Sequence, residues 1–209
     1  MDKRPNSLFF IISPVLILFI TQAAAIFLGK FLGDLVYIPI ILIYWAALGL
    51  IILKYGTDHI KHWLKKPQGH WIWLVIAGLV SLSTLPLFLQ HYDFLRYLAV
   101  LIPSVIFFLI NPWLEEFYWR GMLIDVTEKW PAWVSIIYSS ILFTLWHTAF
   151  AWYSIGVRSL SFYLPVLILG LVMGLIYKNT KSLWQAILSH MLINIFNLGI
   201  PVLMNMIEF

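Results

Sequence analysis

Residues 98–124, LAVLIPSVIFFLINPWLEEFYWRGMLI, decide the fold of this chain. The run is long enough to cross a bilayer, since a helix needs about 20 mostly apolar residues to span the hydrocarbon. It nevertheless contains Glu115, Glu116 and Arg120. An ionisable group inside a span costs about 2.5–3.5 kcal/mol on insertion scales, so it marks a functional candidate. The run therefore predicts a membrane helix that carries a polar site.

The whole chain has the composition of an integral membrane protein. Of its 209 residues, 62% are hydrophobic and 11% are charged, whereas soluble chains carry about 25% charged residues. The absence of cysteine excludes disulfides, thiolate metal sites and a cysteine nucleophile. The net charge of +4 comes from basic residues scattered between apolar runs, which argues against a nucleic-acid partner.

Seven apolar runs predict an all-α, polytopic transmembrane helix bundle. The fourth run contains Pro112, which we expect to kink it, and Gly199 and Pro201 could split the last, so the predicted number of spans is six to eight. We expect residues 1–209 to form one integral-membrane domain. The seven runs cover residues 8–29, 35–53, 71–89, 98–124, 132–152, 161–177 and 183–206.

The positions of lysine and arginine predict a cytoplasmic N-terminus, because short cytoplasmic loops hold the excess of positive charge. In that orientation nine basic residues lie inside and three outside, with Arg120 within a span. The inner residues are Lys3, Arg4, Lys54, Lys61, Lys65, Lys66, Lys129, Lys178 and Lys181. The outer residues are Lys30, Arg96 and Arg158.

The first run resembles a signal peptide, with Lys3 and Arg4 before an apolar stretch and the small residues Ala23 to Ala25 after it. The apolar run continues through Ile26 to full spanning length. We therefore interpret it as a retained helix, with cleavage as the alternative.

Glu116 and Arg120 are four residues apart on the fourth span, so they can pair across one helical turn. Glu115 points about 100° away from Glu116 around the helix axis, so it does not pair with Arg120. A carboxylate in such an apolar setting suits general base catalysis. The alternative is that all three residues form a structural ion network between helices.

Two further polar pairs lie on later spans. Phe143 precedes His147 by four residues, and His190 precedes Asn194 by the same step, with Asn197 nearby. Each pair alone could simply stabilise helix packing. We expect these residues and the glutamates to share one interior cavity, because an unpaired polar group that faces lipid is energetically costly. Such a set can activate water and stabilise an oxyanion, whereas the zinc-protease HExxH and serine GxSxG motifs are absent.

Three motifs, Glu-Glu-x-x-x-Arg (115–120), Phe-x-x-x-His (143–147) and His-x-x-x-Asn (190–194), occur in this order. The chain thereby resembles the CPBP family of CAAX-prenyl-protease and bacteriocin-processing intramembrane endopeptidases, also called the ABI family. The resemblance covers about half of the chain, and it implies a catalytic core over residues 98–197.

The resemblance also implies catalytic roles for the motif residues. Glu115 and His147 would activate the attacking water, and His190 and Asn194 would bind the oxyanion. Glu116 and Arg120 would orient the site. Metal dependence stays open, and a Zn²⁺ cofactor, if present, would be held by Glu115, His147 and His190.

The leading hypothesis is thus an intramembrane protease, of metalloprotease or glutamate type, whose cavity opens towards the cytoplasm. It would hydrolyse a membrane-associated peptide or protein in the lipid bilayer, in the plasma membrane of a bacterium. The alternatives are a proton-coupled transporter and a catalytically silent membrane adaptor or immunity protein. The sequence identifies neither the substrate, nor its prenylation, nor the oligomeric state.

Overall fold

The computed structural model describes residues 7–207, and over this range the chain consists of helices and short connections without any β-strand. Five helical runs are long and apolar enough to cross a membrane. The all-α polytopic bundle predicted from the sequence is confirmed. The five runs are Leu8–Tyr55, Ile72–Arg96, Leu98–Val126, Ala132–Ala149 and Leu160–Thr180.

The first of these runs is two helices. Helix α1 (Ser7–Leu32) and helix α2 (Tyr37–Tyr55) are joined by a 3-10 turn over Gly33–Val36. Gly33 has a φ of +54°, which glycine adopts without the steric cost of a Cβ atom. The chain reverses at this turn, so α1 and α2 pack side by side. A short helix, α3 (Ile60–Trp63), lies in the loop that follows α2.

The third predicted span is broken near its middle. Helix α4 (Ile72–Leu82) ends before Ser83 and Thr84, and helix α5 (Leu85–His91) begins after them. The two hydroxyls bond back to the carbonyl groups of Val80 and Ser81. Such local side-chain bonds compete with the regular helical ladder. The sequence analysis did not predict this break.

The fourth span changes its helical form at the glutamates. Helix α6 (Leu98–Glu115) passes into a π-helix over Glu116–Met122 and ends as helix α7 (Leu123–Val126). Pro112 lies inside α6, three residues before its end. The irregularity that we expected from the proline therefore appears as a widened turn just after it, and π-helical turns are frequent at functional sites.

The remaining helices are α8 (Ala132–Trp146), α9 (Leu160–Thr180), α10 (Trp184–Phe196) and α11 (Gly199–Leu203). Between α10 and α11 the chain breaks at Leu198, whose φ is +49°. The last predicted span is therefore split just before Gly199, where Gly199 and Pro201 indicated a break. Its 13-residue first part is about 20 Å long at ~1.5 Å per residue, which is less than the hydrocarbon thickness.

Helix α6 lies against α2 on one side and α10 on another, while α8 packs along α9. Two glycines permit the close approach of α8 and α9. A Cβ atom on Gly170 would lie 3.0 Å from the Ser140 side chain, and one on Gly174 would lie 2.9 Å from Ile136. Small residues serve membrane helices in this way because they let the backbones approach.

Most lysines gather at one end of the bundle, which we call the lysine-rich end. There the loop around α3 bonds to the turn between α9 and α10, through Ser182 to the Lys65 carbonyl and through the Leu183 amide to the Trp63 carbonyl. Lys3 and Arg4 lie outside the described residues. The lysine-rich end carries Lys54, Lys61, Lys65, Lys66, Lys129, Lys178 and Lys181.

The other end, which we call the distal end, is closed by a different set of bonds. The Asn205 side chain donates to Asp34, in the turn between α1 and α2, at 2.8 Å. Its carbonyl oxygen accepts the amide of Ile155, in the connection between α8 and α9. The two ends lie at opposite termini of α2, whose 19 residues extend about 28 Å at ~1.5 Å per residue.

Candidate active site

The junction between α6 and the π-helix places two buried carboxylates side by side. Glu115 ends α6 and Glu116 begins the π-helix, with 1% and 0% of their surfaces exposed. Nη1 of Arg120 lies 2.9 Å from Oε1 of Glu116, so the pair expected from the spacing is present. The Arg120 guanidinium also lies over the Phe143 ring, 4.4 Å from its centroid. The arginine thus joins the first and second motifs.

His190 lies between the two glutamates. Its Nδ1 is 2.8 Å from Oε1 of Glu116, and its Nε2 is 3.4 Å from Oε2 of Glu115. Because the carboxylate of Glu116 can only accept hydrogen bonds, Nδ1 is the donor in the shorter contact. The third motif therefore meets the first directly, although α10 and α6 are distant in sequence.

Glu115 is held by residues that the sequence analysis missed. The hydroxyl of Tyr44 donates to Oε1 at 2.9 Å, and the amide of Asn111 donates to Oε2 at 2.7 Å. Trp119 donates in turn to the Tyr44 hydroxyl, and Trp45 donates to the Asn111 carbonyl oxygen. Asn111 could have been found from its position one helical turn before Glu115. Nothing local in the sequence signals Tyr44 or Trp45.

His147 and Asn194 face the same cavity as Glu115 and His190 without bonding to them. His147 begins a 3-10 turn after α8, and its Nδ1 lies 2.8 Å from the Phe143 carbonyl. The Nδ2 amide of Asn194 is buried and has no hydrogen-bond partner among the described residues. The site therefore holds one unused amide donor.

The cavity has a volume of about 670 Å³ and mainly apolar walls. Besides the motif residues, Asn111 and Asn197 border it, and the side-chain oxygen Oδ1 of Asn197 accepts a hydrogen bond from the Gly199 amide. Trp146 also borders it and stacks on Tyr44 at 3.6 Å between ring centroids. The indole Nε1 of Trp146 is a second buried donor for which the described part of the chain offers no acceptor.

The cavity extends from Glu115 towards the distal end. On α9 it is bordered only by residues of the first half, from Ser161 to Leu169, and on α8 by residues from Phe143 onward. It also reaches Val202, whose carbonyl accepts a bond from Ser154 at the distal end. The expected opening on the side of the lysine-rich loops is therefore wrong.

The histidine and acidic side chains of the site are not arranged around a single point, as metal ligands must be. Between residues 7 and 207, no three histidine, aspartate or glutamate side chains are placed to hold one ion. Of the residues named for zinc, His190 already has both ring nitrogens beside carboxylates. Nδ1 of His147 lies against a backbone carbonyl. We therefore derive no step through a metal ion.

Residues 97–196 match the family model described as type II CAAX prenyl endopeptidase, Rce1-like. This segment belongs to the Rce1-like family. The family predicted from the motifs is thereby confirmed, and at the family level it is one of intramembrane proteases of the CAAX type. The Rce1-like segment includes α6, the π-helix, α8 with the 3-10 turn after it, and α10, which together carry all three motifs. It does not include α2, which carries Tyr44.

One curated relative matches about half of the chain. The UPF0177 protein YxdF of Lactococcus lactis subsp. lactis (strain IL1403) is 30% identical over 105 residues. The matched region covers 50% of this chain and 52% of that protein, so the chain spans about half the length of the curated relative it matches. No solved structure matches the chain significantly.

Proposed function

We propose that this protein is an intramembrane endopeptidase that hydrolyses a peptide bond in a membrane-associated peptide or protein. The observation that carries the proposal is the position of Glu115, a buried carboxylate fixed by Tyr44 and Asn111 at the edge of a 670 Å³ cavity. A substrate carbonyl can enter that cavity, and a water can bond to the carboxylate. The Rce1-like segment supports the same reaction class.

Glu115 is the proposed general base. A carboxylate has about four lone-pair sites, and three of them face Tyr44, Asn111 and His190. The fourth accepts a hydrogen bond from the attacking water, and His147 holds that water from across the cavity. As the water oxygen bonds to the carbonyl carbon, its proton passes to Glu115, which then gives it to the leaving nitrogen as the carbon–nitrogen bond breaks.

Asn194 and His190 are the proposed oxyanion donors. In the resting site Nε2 of His190 lies 3.4 Å from Oε2 of Glu115, so we propose that this N–H turns to the oxyanion once Glu115 has taken the proton from the water. The unpartnered Nδ2 of Asn194 borders the cavity on the same helix as His190, one turn further along. Preorganised donors of this kind act where negative charge develops in the transition state. Glu116 and Arg120 do not border the cavity, so we propose that they position His190 rather than touch the substrate.

The proposed setting is the plasma membrane of a bacterium, with the N-terminus in the cytoplasm. The positive-inside rule supports this orientation, because the lysines of three connections meet at one end of the bundle. Residues 98–197 are the proposed catalytic core of a single membrane domain.

The test compares membrane peptides by mass spectrometry in cells that express the intact protein or Glu115→Gln. Glutamine keeps the size of the side chain but cannot accept the proton. We expect specific cleavage products to disappear, while Glu128→Gln, a matched change at an exposed loop acid, leaves them in place. Equal products from Glu115→Gln and the intact protein, with both inserted in the membrane, would overturn the proposal.

A second experiment decides between the metalloprotease and glutamate types. We propose the metal-free glutamate type, because no three histidine, aspartate or glutamate side chains between residues 7 and 207 are placed to hold one ion. Cleavage should then continue at an unchanged rate after the purified protein is incubated with a strong chelator. A loss of cleavage that added Zn²⁺ restores would show the metalloprotease type.

A further inference from the structure

Four aromatic side chains pack against one another near the lysine-rich end of the bundle, and none of them borders the cavity. Trp113 lies 5.9 Å from Phe117 and 5.7 Å from Trp184, and Phe117 lies 5.6 Å from Trp63, between ring centroids. The indole of Trp63 is 1% exposed and donates to Asp125. We call these four residues the aromatic floor.

The indole of Trp184 donates to the Leu64 carbonyl at 2.7 Å, so the loop around α3 is fixed to the start of α10. A Cβ atom on Gly121 would lie 2.8 Å from the Trp63 ring, which shows how closely the π-helix contacts this loop. Side chains and backbone bonds therefore both hold the aromatic floor in place.

The cavity opens at the side of the bundle, between α4–α5 and α9. Several of its wall residues are also exposed on the outer surface, among them Leu79 at 64% and Ile168 at 49%. Ser83, at the break between α4 and α5, and Ser161, at the start of α9, are exposed as well. We call the part of the outer surface formed by these residues, which border the cavity and are also exposed, the mouth of the cavity.

This mouth lies in the half of the bundle that adjoins the distal end. At ~1.5 Å per residue, the cavity residues of α9 lie about 16 to 29 Å from its terminus at Thr180. Exposed apolar side chains also lie along this part of α9, with Leu164 between the mouth residues and Leu160 just before Ser161. In a membrane-spanning bundle these surfaces face lipid, so the mouth connects the glutamates with one leaflet.

We infer that the substrate reaches Glu115 sideways from the leaflet at the distal end, which is the outer leaflet when the lysine-rich end is cytoplasmic. This inference rests on the proposed function and names its substrate class. The substrate is a peptide with an apolar segment in the outer half of the bilayer and a cleavable bond beside that segment. The apolar walls receive the segment, and the carboxylate at the closed end of the cavity meets the bond.

The experiment uses single cysteines, because the natural chain contains none and therefore gives no background. Ser161→Cys lies at the mouth and Thr84→Cys in the cavity wall. Lys66→Cys lies on the surface of the lysine-rich end. Ser81→Cys is a matched control for Thr84→Cys, since Ser81 is on the preceding turn, is 1% exposed and does not border the cavity. The probe is a small membrane-impermeant thiol reagent, added to intact or permeabilised cells.

We expect Ser161→Cys and Thr84→Cys to react in intact cells. Lys66→Cys should react only after permeabilisation, and Ser81→Cys should react in neither condition. Reaction of Thr84→Cys only after permeabilisation would overturn the inference, as would its failure to react while Ser161→Cys reacts. The thiol reaction does not require cleavage, so the two proposals can be tested separately. The labelling pattern can contradict access from the distal end even if Glu115→Gln abolishes cleavage, and it can support that access even if Glu115→Gln leaves cleavage unchanged.

Discussion

The hydroxyl of Tyr44 on α2 donates a 2.9 Å hydrogen bond to Oε1 of Glu115 on α6. The two residues are 71 positions apart, and only Glu115 lies within the Rce1-like segment. Stacking of Tyr44 on Trp146 and the bond from Trp119 fix the ring on two sides. The first half of the chain therefore helps to orient the proposed base.

Tyr44→Phe tests this positioning role. A hydrogen bond to a charged group contributes about 1.5–3 kcal/mol, so its loss should lower kcat by about 10- to 100-fold. KM should stay unchanged, because Tyr44 does not border the cavity. The control is Tyr37→Phe on the same helix, where the ring is equally buried but its hydroxyl has no hydrogen bond among the described residues. Equal kcat values for the two variants would contradict the role.

Glu116→Gln should lower the thermal stability of the protein. The change leaves Arg120 buried beside a neutral amide, and removal of one partner of a buried ion pair costs about 3–5 kcal/mol. Thermal unfolding in detergent should show a lower Tm. The double variant Glu116→Gln with Arg120→Met should recover part of the loss because no unpaired charge remains. A Tm for Glu116→Gln equal to that of the intact protein would show that the pair is not structural.

Asn194→Ala should slow the chemical step. Loss of one oxyanion donor typically lowers kcat by about 10²–10³, and the Nδ2 of Asn194 forms no hydrogen bond between residues 7 and 207 whose loss would affect folding. Kinetics on a substrate found by the peptide comparison should therefore show a lower kcat with a small change in KM and an unchanged Tm. A variant with normal kcat would remove Asn194 from the proposed oxyanion site.

Ile168→Trp should obstruct the side opening. Ile168 borders the cavity and is half exposed, so an indole at this position narrows the mouth. Leu164→Trp is the matched control, because Leu164 is one turn earlier on α9 and equally exposed but does not border the cavity. We expect the first variant to lower kcat/KM and the second to retain it. The same loss in both would indicate an effect on lipid packing rather than on entry.

The sequence predicted the helical class because apolar runs of spanning length leave the backbone no other way to satisfy its hydrogen bonds. Where helices break was harder to predict. The break at Ser83 and Thr84 and the left-handed Leu198 depend on local side-chain bonds and packing. The widened turn at Glu116 likewise depends on tertiary contacts, such as the bond from Ser139 to the Trp119 carbonyl.

By itself the sequence determined that a few ionisable residues lie inside membrane helices. Only 11% of the residues are charged, and nearly all of these fall at the ends of the apolar runs, so the few within a run stand out. It also determined the Glu116–Arg120 pair, which is local to one turn. The tertiary structure decided what neighbours Glu115 and where the cavity opens. Tyr44 and the aromatic floor come from helices distant in sequence, and spacing along one helix carries no information about such contacts.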